Sequence, residues 1–192
     1  MKDNLDMHRK SYEKGELSKE SVNENPLQQF RTWFYETKDA GGVDEVNAMT
    51  LTTVDAEGFP RGRVVLLKKY DEYGFYFFTN YNSDKARSLD LNNKVSLSFF
   101  WPNMERQIII KGTVKKTSNA ESNNYWQSRP KGSQLGALVS NQSSIVKDRS
   151  ELEDKLKKLE EEYEHKEVPR PKAVSYTHLT LPTMLAQCSG RG

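Results

Sequence analysis

Residues 47–80 read NAMTLTTVDAEGFPRGRVVLLKKYDEYGFYFFTN, and this stretch indicates a β-sheet fold. Three β-prone runs, at 49–54, 63–70 and 75–79, are separated by the turn sequences DAEG and DEYG. Asp and Gly suit tight turns because the Asp side chain accepts hydrogen bonds from nearby backbone N–H groups and Gly tolerates positive φ angles. The stretch therefore predicts antiparallel strands joined by hairpins.

The chain on either side of this stretch predicts two more strands and several helices. Residues 95–101 and 107–114 are β-prone, and a short helix capped by Ser83 is expected before them. Asn25 and Pro26 begin a helix that ends near Gly41. Further helices are predicted at 119–127, 134–139 and 148–167. Five strands with flanking helices predict a mainly β, α+β fold with an antiparallel sheet or barrel.

Composition excludes several classes of function. The 192 residues carry a net charge of only +2, which argues against binding nucleic acid or a membrane surface by charge. Hydrophobic residues make up 35%, and no apolar run is long enough for a membrane span. The single cysteine, Cys188, excludes an intramolecular disulfide and fits a reducing compartment. The three histidines lie far apart, so we expect no metal site.

Phosphate binding, if present, has to rely on side chains, because the chain lacks both a Walker loop and a G-x-G-x-x-G turn. Suitable groups concentrate in three places, at 63–68, at 78–85, and at Tyr125, Arg129 and Ser133 with Gln142 and Ser143. Each place also has an ordinary structural interpretation: an edge strand with charged ends, a polar turn and the end of a surface helix.

A series of motifs, taken in order, carries a specific family resemblance. They are RKSY at 9–12, NPL at 25–27, RVVLLK at 63–68, FFTN at 77–80, FFW at 99–101, RQ at 106–107, KGTVKK at 111–116, YWQSRPKGSQLGA at 125–137, SNQSS at 140–144 and VPRPK at 168–172. Together they resemble the pyridoxine/pyridoxamine 5'-phosphate oxidase family over most of the chain up to Lys172.

The resemblance implies an FMN-binding split β-barrel that forms a homodimer with cofactor at the subunit interface. It implies oxidation of pyridoxine or pyridoxamine 5'-phosphate to pyridoxal 5'-phosphate, with dioxygen as acceptor and hydrogen peroxide released. The cysteine-free sequence before Cys188 leads us to expect a cytoplasmic location. Because the flavin accepts the hydride, no catalytic side chain is required of the protein. Two phosphorylated ligands need two cationic sites, which agrees with the clusters described above.

The resemblance also assigns binding residues position by position. The expected FMN contacts are Arg63, Val64, Val65, Leu66, Leu67, Lys68, Phe78, Thr79, Lys85, Gln107, Gln142 and Ser143. The expected substrate contacts are Arg9, Tyr12, Lys68, Tyr125, Arg129 and Ser133. Arg9 and Tyr12 belong to a polar amino-terminal arm, residues 1–24, which the resemblance interprets as a segment that closes over the substrate.

Two positions depart from the family pattern. Asp84 stands beside Lys85 where many members carry a second cation. After Lys172 the family's last strands, with an FMN-stacking Trp and a substrate-binding Arg and His, are not recognisable, and His178 is not assigned their role. We therefore expect a flavin-binding domain at 25–172 followed by an unrelated tail at 173–192. A frameshift or misassembled transcript is our hypothesis for the tail, and a divergent natural terminus is the alternative.

Losing the last strands has a predicted physical consequence. We expect open sheet edges and uncovered apolar surface around Phe99, Phe100 and residues 108–110. Poor stability and weak FMN retention would follow. Two other functions therefore remain open beside the oxidase: a non-catalytic split-barrel protein that binds FMN or pyridoxal phosphate, and an inactive truncated fragment.

Overall fold

The computed structural model describes residues 6, 8, 11–14, 17–140, 142–143, 148–171 and 174–180. The elements in chain order are α1 (Pro26–Ala40), β1 (Ala48–Val54), β2 (Pro60–Asp71), β3 (Gly74–Asn80), α2 (Asp84–Leu91), β4 (Lys94–Trp101), β5 (Arg106–Lys116), α3 (Asn119–Ser128), α4 (Lys131–Val139), α5 (Arg149–Tyr163) and β6 (Val174–Thr180). The predicted mainly β fold with flanking helices is confirmed. The five predicted strands correspond to β1–β5, and β6 is an additional strand.

The six strands form a closed antiparallel barrel in the order β1-β2-β3-β6-β5-β4. The predicted hairpins are present, with Val54 paired to Pro60 and Asp71 paired to Gly74 next to the two turns. A register shift between Leu67 and Lys69 bends β2 before it reaches the second turn. Closure removes free sheet edges from the barrel.

The expectation of open edges is wrong, because β6 fills the gap between β3 and β5. It pairs with β3 from Gly74 to Asn80 and with β5 from Thr113 to Lys116. Phe99 and the residues at 108 and 110 are buried, whereas Phe100 is 59% exposed. The barrel thus includes 174–180 and extends beyond Lys172, the domain boundary expected from the motifs.

Two glycines make room for β6. A Cβ atom at Gly74 would lie 1.8 Å from the carbonyl oxygen of Leu179, and one at Gly112 would lie 2.6 Å from that of Thr180. The Leu179 side chain is completely buried in the barrel core. Any side chain at Gly74 would push β6 away from β3.

Helix α1 packs against an aromatic core. Its N-cap is Asn25, whose side-chain oxygen accepts hydrogen bonds from the backbone of two residues in the first turn. Phe30 lies within 4.9–5.1 Å, between ring centroids, of Tyr70, Phe75 and Phe99. These edge-to-face contacts add to the burial that fixes α1 on the barrel.

Helices α3, α4 and α5 pack on a second, smaller cluster. Trp126, Leu135 and Val168 are buried there, and Leu156 and Leu159 of α5 pack against them. The Trp126 indole N–H donates to the Val168 carbonyl oxygen at 2.7 Å. This cluster holds α3 and α4 beside the barrel. Within the described part of the chain, no helix combines the length and apolar character that crossing a membrane requires.

Candidate functional site

A cavity of about 930 Å³ opens beside the barrel, where β2 and β3 meet the start of α2 and the junction of α3 with α4. Its lining comprises Arg61, Gly62, Arg63, Val64, Val65, Leu66, Lys68, Phe78, Thr79, Asn80, Asp84, Lys85, Tyr125, Ser128, Arg129, Pro130, Ser133, Ala137, Ser140, Gln142 and Ser143. Residues from all three of the predicted phosphate-suited places therefore meet in one cavity. The spacing of the three places in the sequence does not predict that they meet.

Lys85 contributes a buried ammonium group, with only 8% of the residue exposed. Its Nζ donates hydrogen bonds to Gln142 Oε1 at 2.5 Å and to Ser83 Oγ at 3.2 Å. Burial and then the charge of Arg63 lower the pKa of Lys85 to about 8, and the charge of Asp84 opposes this shift. Both acceptors are neutral, so the ammonium charge is still available to an anion.

Arg63 lies next to Lys85 and is oriented by β1. Its Nη1 donates to the Leu51 carbonyl oxygen at 3.2 Å and to Thr53 Oγ1 at 2.7 Å. Burial and then the charge of Arg61 lower the pKa of Arg63. The guanidinium group has further N–H donors beyond those two bonds, so Arg63 can also donate to a ligand.

The opposite part of the cavity is formed by the junction between α3 and α4. The predicted helix break is confirmed, since α3 ends at Ser128 and Pro130 caps α4. Across this break the Arg129 guanidinium donates a hydrogen bond to the Ser133 carbonyl oxygen, at 2.9 Å. Arg129 and Ser133 thus come together although no continuous helix joins them.

Tyr125 gives this part of the cavity an aromatic wall. Its ring stacks on Phe78 from β3, with 3.3 Å between ring centroids. Burial raises the pKa of the Tyr125 hydroxyl, and the charge of Arg129 opposes that effect. The hydroxyl is therefore a neutral donor at neutral pH, beside a permanent cation.

The sequence model of the pyridoxamine 5'-phosphate oxidase family matches residues 37–163. A pyridoxine/pyridoxamine 5'-phosphate oxidase of Flavobacterium johnsoniae is 54% identical over 167 residues, covering 87% of this chain and 78% of the relative. The corresponding protein of Flavobacterium psychrophilum is 52% identical over 172 residues, covering 90% and 80%. The chain belongs to the pyridoxamine 5'-phosphate oxidase family. It is therefore an enzyme of an oxidase family.

Two solved structures have the same fold as this chain. PhzG from Burkholderia lata, in complex with tetrahydrophenazine-1-carboxylic acid, has a TM-score of 0.78 at 24% identity, over 84% of this chain and 79% of that one. A pyridoxamine 5'-phosphate oxidase-related, FMN-binding protein from Nostoc punctiforme has a TM-score of 0.63 at 14% identity, over 83% of each chain. The expected split-barrel architecture is thus confirmed, since the chain shares the fold of these two structures.

Three of the residues assigned from the family pattern do not line the cavity, and a fourth is outside the part of the chain that the structure describes. Leu67 points into the barrel core and is 5% exposed. Gln107 is exposed on β5, where its Nε2 donates to Ser98 Oγ at 3.4 Å. Tyr12 is 56% exposed and does not line the cavity. Arg9 lies outside the described residues.

The segment that contains Tyr12 contacts the β4–β5 turn. The backbone N–H groups of Glu13 and Lys14 both donate to Glu105 Oε2, at 2.8 and 2.9 Å. Lys14 Nζ also donates to the Asn103 carbonyl oxygen at 2.6 Å. In this conformation Glu13 and Lys14 lie against the β4–β5 turn, and the described residues 11–14 do not line the cavity.

The sequence interpretation missed one cation of the cavity, Arg61. It lies two residues before Arg63 on β2, so strand alternation places both side chains on one face. That alternation was the signal that could have identified it. Asp84, expected only to weaken a phosphate contact, forms ion pairs with Arg61 and with Arg87.

Metal binding has no support among the described residues, where no three His, Cys, Asp or Glu side chains gather as ligands would. The charged groups of the cavity are predominantly cationic instead: Arg61, Arg63, Lys68, Lys85 and Arg129 line it together with one carboxylate, Asp84. Such a set suits phosphate groups.

Proposed function

We propose that the protein oxidises pyridoxamine or pyridoxine 5'-phosphate to pyridoxal 5'-phosphate with FMN, using dioxygen and releasing hydrogen peroxide. The observation that carries the proposal is a single cavity with cationic groups at two separate parts of its lining. One phosphorylated cofactor and one phosphorylated substrate need two such sites in one cavity. Family membership and the names of the most similar relatives support the same reaction.

The part of the cavity around Lys85 suits the FMN phosphate. A buried ammonium whose hydrogen-bond acceptors are neutral is costly unless an anion compensates its charge. Arg63 adds a second cation, and the hydroxyl groups of Thr79 and Ser143 add donors close by. Lys85, Arg63, Thr79, Gln142 and Ser143 would therefore hold the phosphate, with 64–66, Lys68 and Phe78 along the remainder of the cofactor.

The part of the cavity around Arg129 suits the substrate phosphate. Arg129 supplies a planar set of donors for phosphate oxygens, and the hydroxyls of Tyr125 and Ser133 add two more. Lys68 also lines the cavity from β2. These four residues would fix the substrate so that its reacting carbon faces the cofactor. Arg9 and Tyr12 would close over it from the amino-terminal arm, residues 1–24.

When bound, FMN supplies the hydride-accepting chemistry and the reaction with dioxygen. The side chains of this chain have the simpler tasks of neutralising two phosphates, orienting two rings and limiting access of water. Accordingly we assign no side chain as a protein nucleophile or general base. The cysteine-free sequence up to residue 187 supports a reducing, cytoplasmic setting.

A homodimer forms part of the proposal. Val64 on β2 and Phe100 on β4 are 69% and 59% exposed, on strands that both pair with β1. Gln107 is the register partner of Phe100 and lies next to this apolar surface. A second copy docked here would cover Val64 and Phe100. It would also bring Gln107 to an interfacial cofactor, which accounts for the position of Gln107 outside its own chain's cavity.

The test is an absorption spectrum of the purified chain followed by addition of pyridoxamine 5'-phosphate. We expect a bound flavin spectrum, and release of hydrogen peroxide that depends on the substrate and dioxygen. Bound flavin without turnover would favour the non-catalytic binding protein. A colourless, aggregated chain would favour the inactive fragment. Either of these two results would contradict the proposed oxidase.

A further inference from the structure

Arg61 lies at the edge of the cavity beside the two cations assigned to the FMN phosphate. On β2 it is the register partner of Thr53 on β1. The pair of Leu51 and Arg63 lies two residues further along the two strands, so Arg61 and Arg63 share one face of the sheet. The Arg61 side chain is 52% exposed, whereas Lys85 is buried. Its charge lowers the pKa of Arg63, second to burial, so the two guanidinium groups interact. Three cations thus lead from the edge to the interior of the cavity.

Asp84 is the carboxylate that faces Arg61 at the edge of the cavity. Its Oδ2 lies 3.8 Å from Arg61 Nη1, and its Oδ1 pairs with Arg87 three residues further along α2. The contact with Arg61 is too long for a hydrogen bond and is largely open to solvent. Arg87, by contrast, also donates to the Asn82 carbonyl oxygen at 2.9 Å and does not line the cavity. Arg61 is therefore the more easily displaced of the two partners.

We propose that Arg61 is a further phosphate-binding residue of the cofactor site, and that Asp84 is the counter-ion it exchanges for the phosphate. A phosphate dianion offers more charge and more acceptor oxygens than one carboxylate, so it competes well for an exposed guanidinium group. Asp84 stays neutralised after the exchange because Arg87 remains on its other oxygen. This inference rests on the proposed function, since it takes the anion near Lys85 to be the phosphate of FMN.

The experiment measures FMN and riboflavin binding by quenching of flavin fluorescence, with the full chain and its Arg61→Gln variant. Riboflavin lacks the phosphate and reports on the remainder of the site. We expect Arg61→Gln to weaken FMN binding about tenfold, the loss that one charge-assisted hydrogen bond accounts for, and to leave riboflavin binding unchanged. Arg87→Gln is the matched control for charge, because Arg87 pairs with Asp84 but does not line the cavity. It leaves Asp84 without its second partner, so FMN binding should weaken by clearly less than in Arg61→Gln, and riboflavin binding should stay unchanged.

The variant Asp84→Asn tests the exchange. Without the competing carboxylate, FMN binding should tighten about threefold, and this gain should shrink when Arg61 is already Gln. Weaker FMN binding by Asp84→Asn would overturn the exchange. The exchange would also be overturned if Asp84→Asn increased FMN affinity by the same factor when Arg61 is already Gln.

These measurements distinguish a failure of the role of Arg61 from a failure of the proposed function. If the unaltered chain binds FMN and Arg61→Gln binds it equally well, or loses FMN and riboflavin binding to the same extent, the role of Arg61 is overturned while the proposed function stands. Equal losses in Arg61→Gln and Arg87→Gln would also overturn it, because net charge would then explain both. If the unaltered chain binds no FMN, the proposed function and the role of Arg61 are overturned together.

Discussion

The Lys85 ammonium lies 2.5 Å from the side-chain oxygen of Gln142, although 57 residues separate the two in sequence. This bond connects the first turn of α2 to the segment after α4, and so ties the barrel to the helices of the second cluster. We expect this buried cation to make anion binding depend on the protonation state of Lys85.

FMN affinity should fall as pH rises above about 8. Lys85 has a pKa lowered to about 8, and a bound phosphate raises that pKa because it stabilises the charged form. Binding then takes up a proton above the pKa of the free protein, so affinity is constant below it and decreases above it. We expect a loss of roughly tenfold between about pH 7 and about pH 9. Fluorescence titration of FMN across this range measures it.

The variant Lys85→Met should bind FMN weakly and without this pH dependence. Lys94→Met, at an exposed lysine outside the cavity, serves as the control and should retain it. An affinity of the unaltered chain that stays constant over the whole range would contradict the assignment of Lys85 to the phosphate.

Replacing Arg129 with Gln should raise KM for pyridoxamine 5'-phosphate by about tenfold or more and leave FMN affinity unchanged. The reason is the loss of charge-assisted hydrogen bonds to the substrate phosphate alone. Steady-state peroxide release and flavin titration measure the two quantities. Lys131→Gln is the control, since Lys131 does not line the cavity and donates instead to the Glu164 carbonyl oxygen. Equal losses of substrate and flavin binding would contradict the separate roles assigned to the two parts of the cavity.

Gly74→Ala should destabilise the protein far more than Gly58→Ala. Both glycines have positive φ angles, 146° and 87°, so both substitutions strain the backbone. Only at Gly74 would the new methyl group collide with β6, at the carbonyl oxygen of Leu179. We expect a loss of about 1 kcal/mol for Gly58→Ala and at least about 2 kcal/mol more for Gly74→Ala, measured by urea unfolding. Similar losses would mean that β6 does not close the barrel in solution.

Thr177→Val should stabilise the protein by about 1 kcal/mol, because it removes a hydroxyl that is costly to bury without a partner. Thr177 is 2% exposed, and its Oγ1 has no hydrogen-bond partner among the described residues. Thr180→Val, on the same strand, should have the opposite effect, because Thr180 Oγ1 donates to the Thr113 carbonyl oxygen at 3.0 Å. Urea unfolding of both variants tests the pair, and a destabilised Thr177→Val would show that its hydroxyl is paired.

Local sequence patterns predicted most of the elements well. The caps at Asn25 and Ser118, the break at Pro130 and the turns before Pro60 and Gly74 all act within a few residues, so they could be read directly. Strand β6 was missed because its role depends on a gap between two other strands. No property of residues 174–180 alone reveals that gap.

For the candidate site too, the sequence identified individual residues but not their arrangement. The family motifs identified Arg63, Lys85 and Arg129 as cations suited to phosphate, and strand alternation could have added Arg61. What they could not show is which residues share a surface. Leu67 was assigned to the cofactor with its neighbours, yet it is buried in the barrel core, whereas Arg63 and Val65 on the same face of β2 line the cavity.

By itself, the sequence of this protein determined its strand-rich architecture, its family and the residue types available for binding phosphate. These depend on local secondary-structure propensity and on motifs made of consecutive residues. Only the tertiary structure decided that β6 closes the barrel, that the three places rich in phosphate-suited groups meet in one cavity, and that Asp84 faces Arg61 at its edge. Each of these depends on contacts between residues distant in the chain, whose geometry is set by barrel closure and core packing.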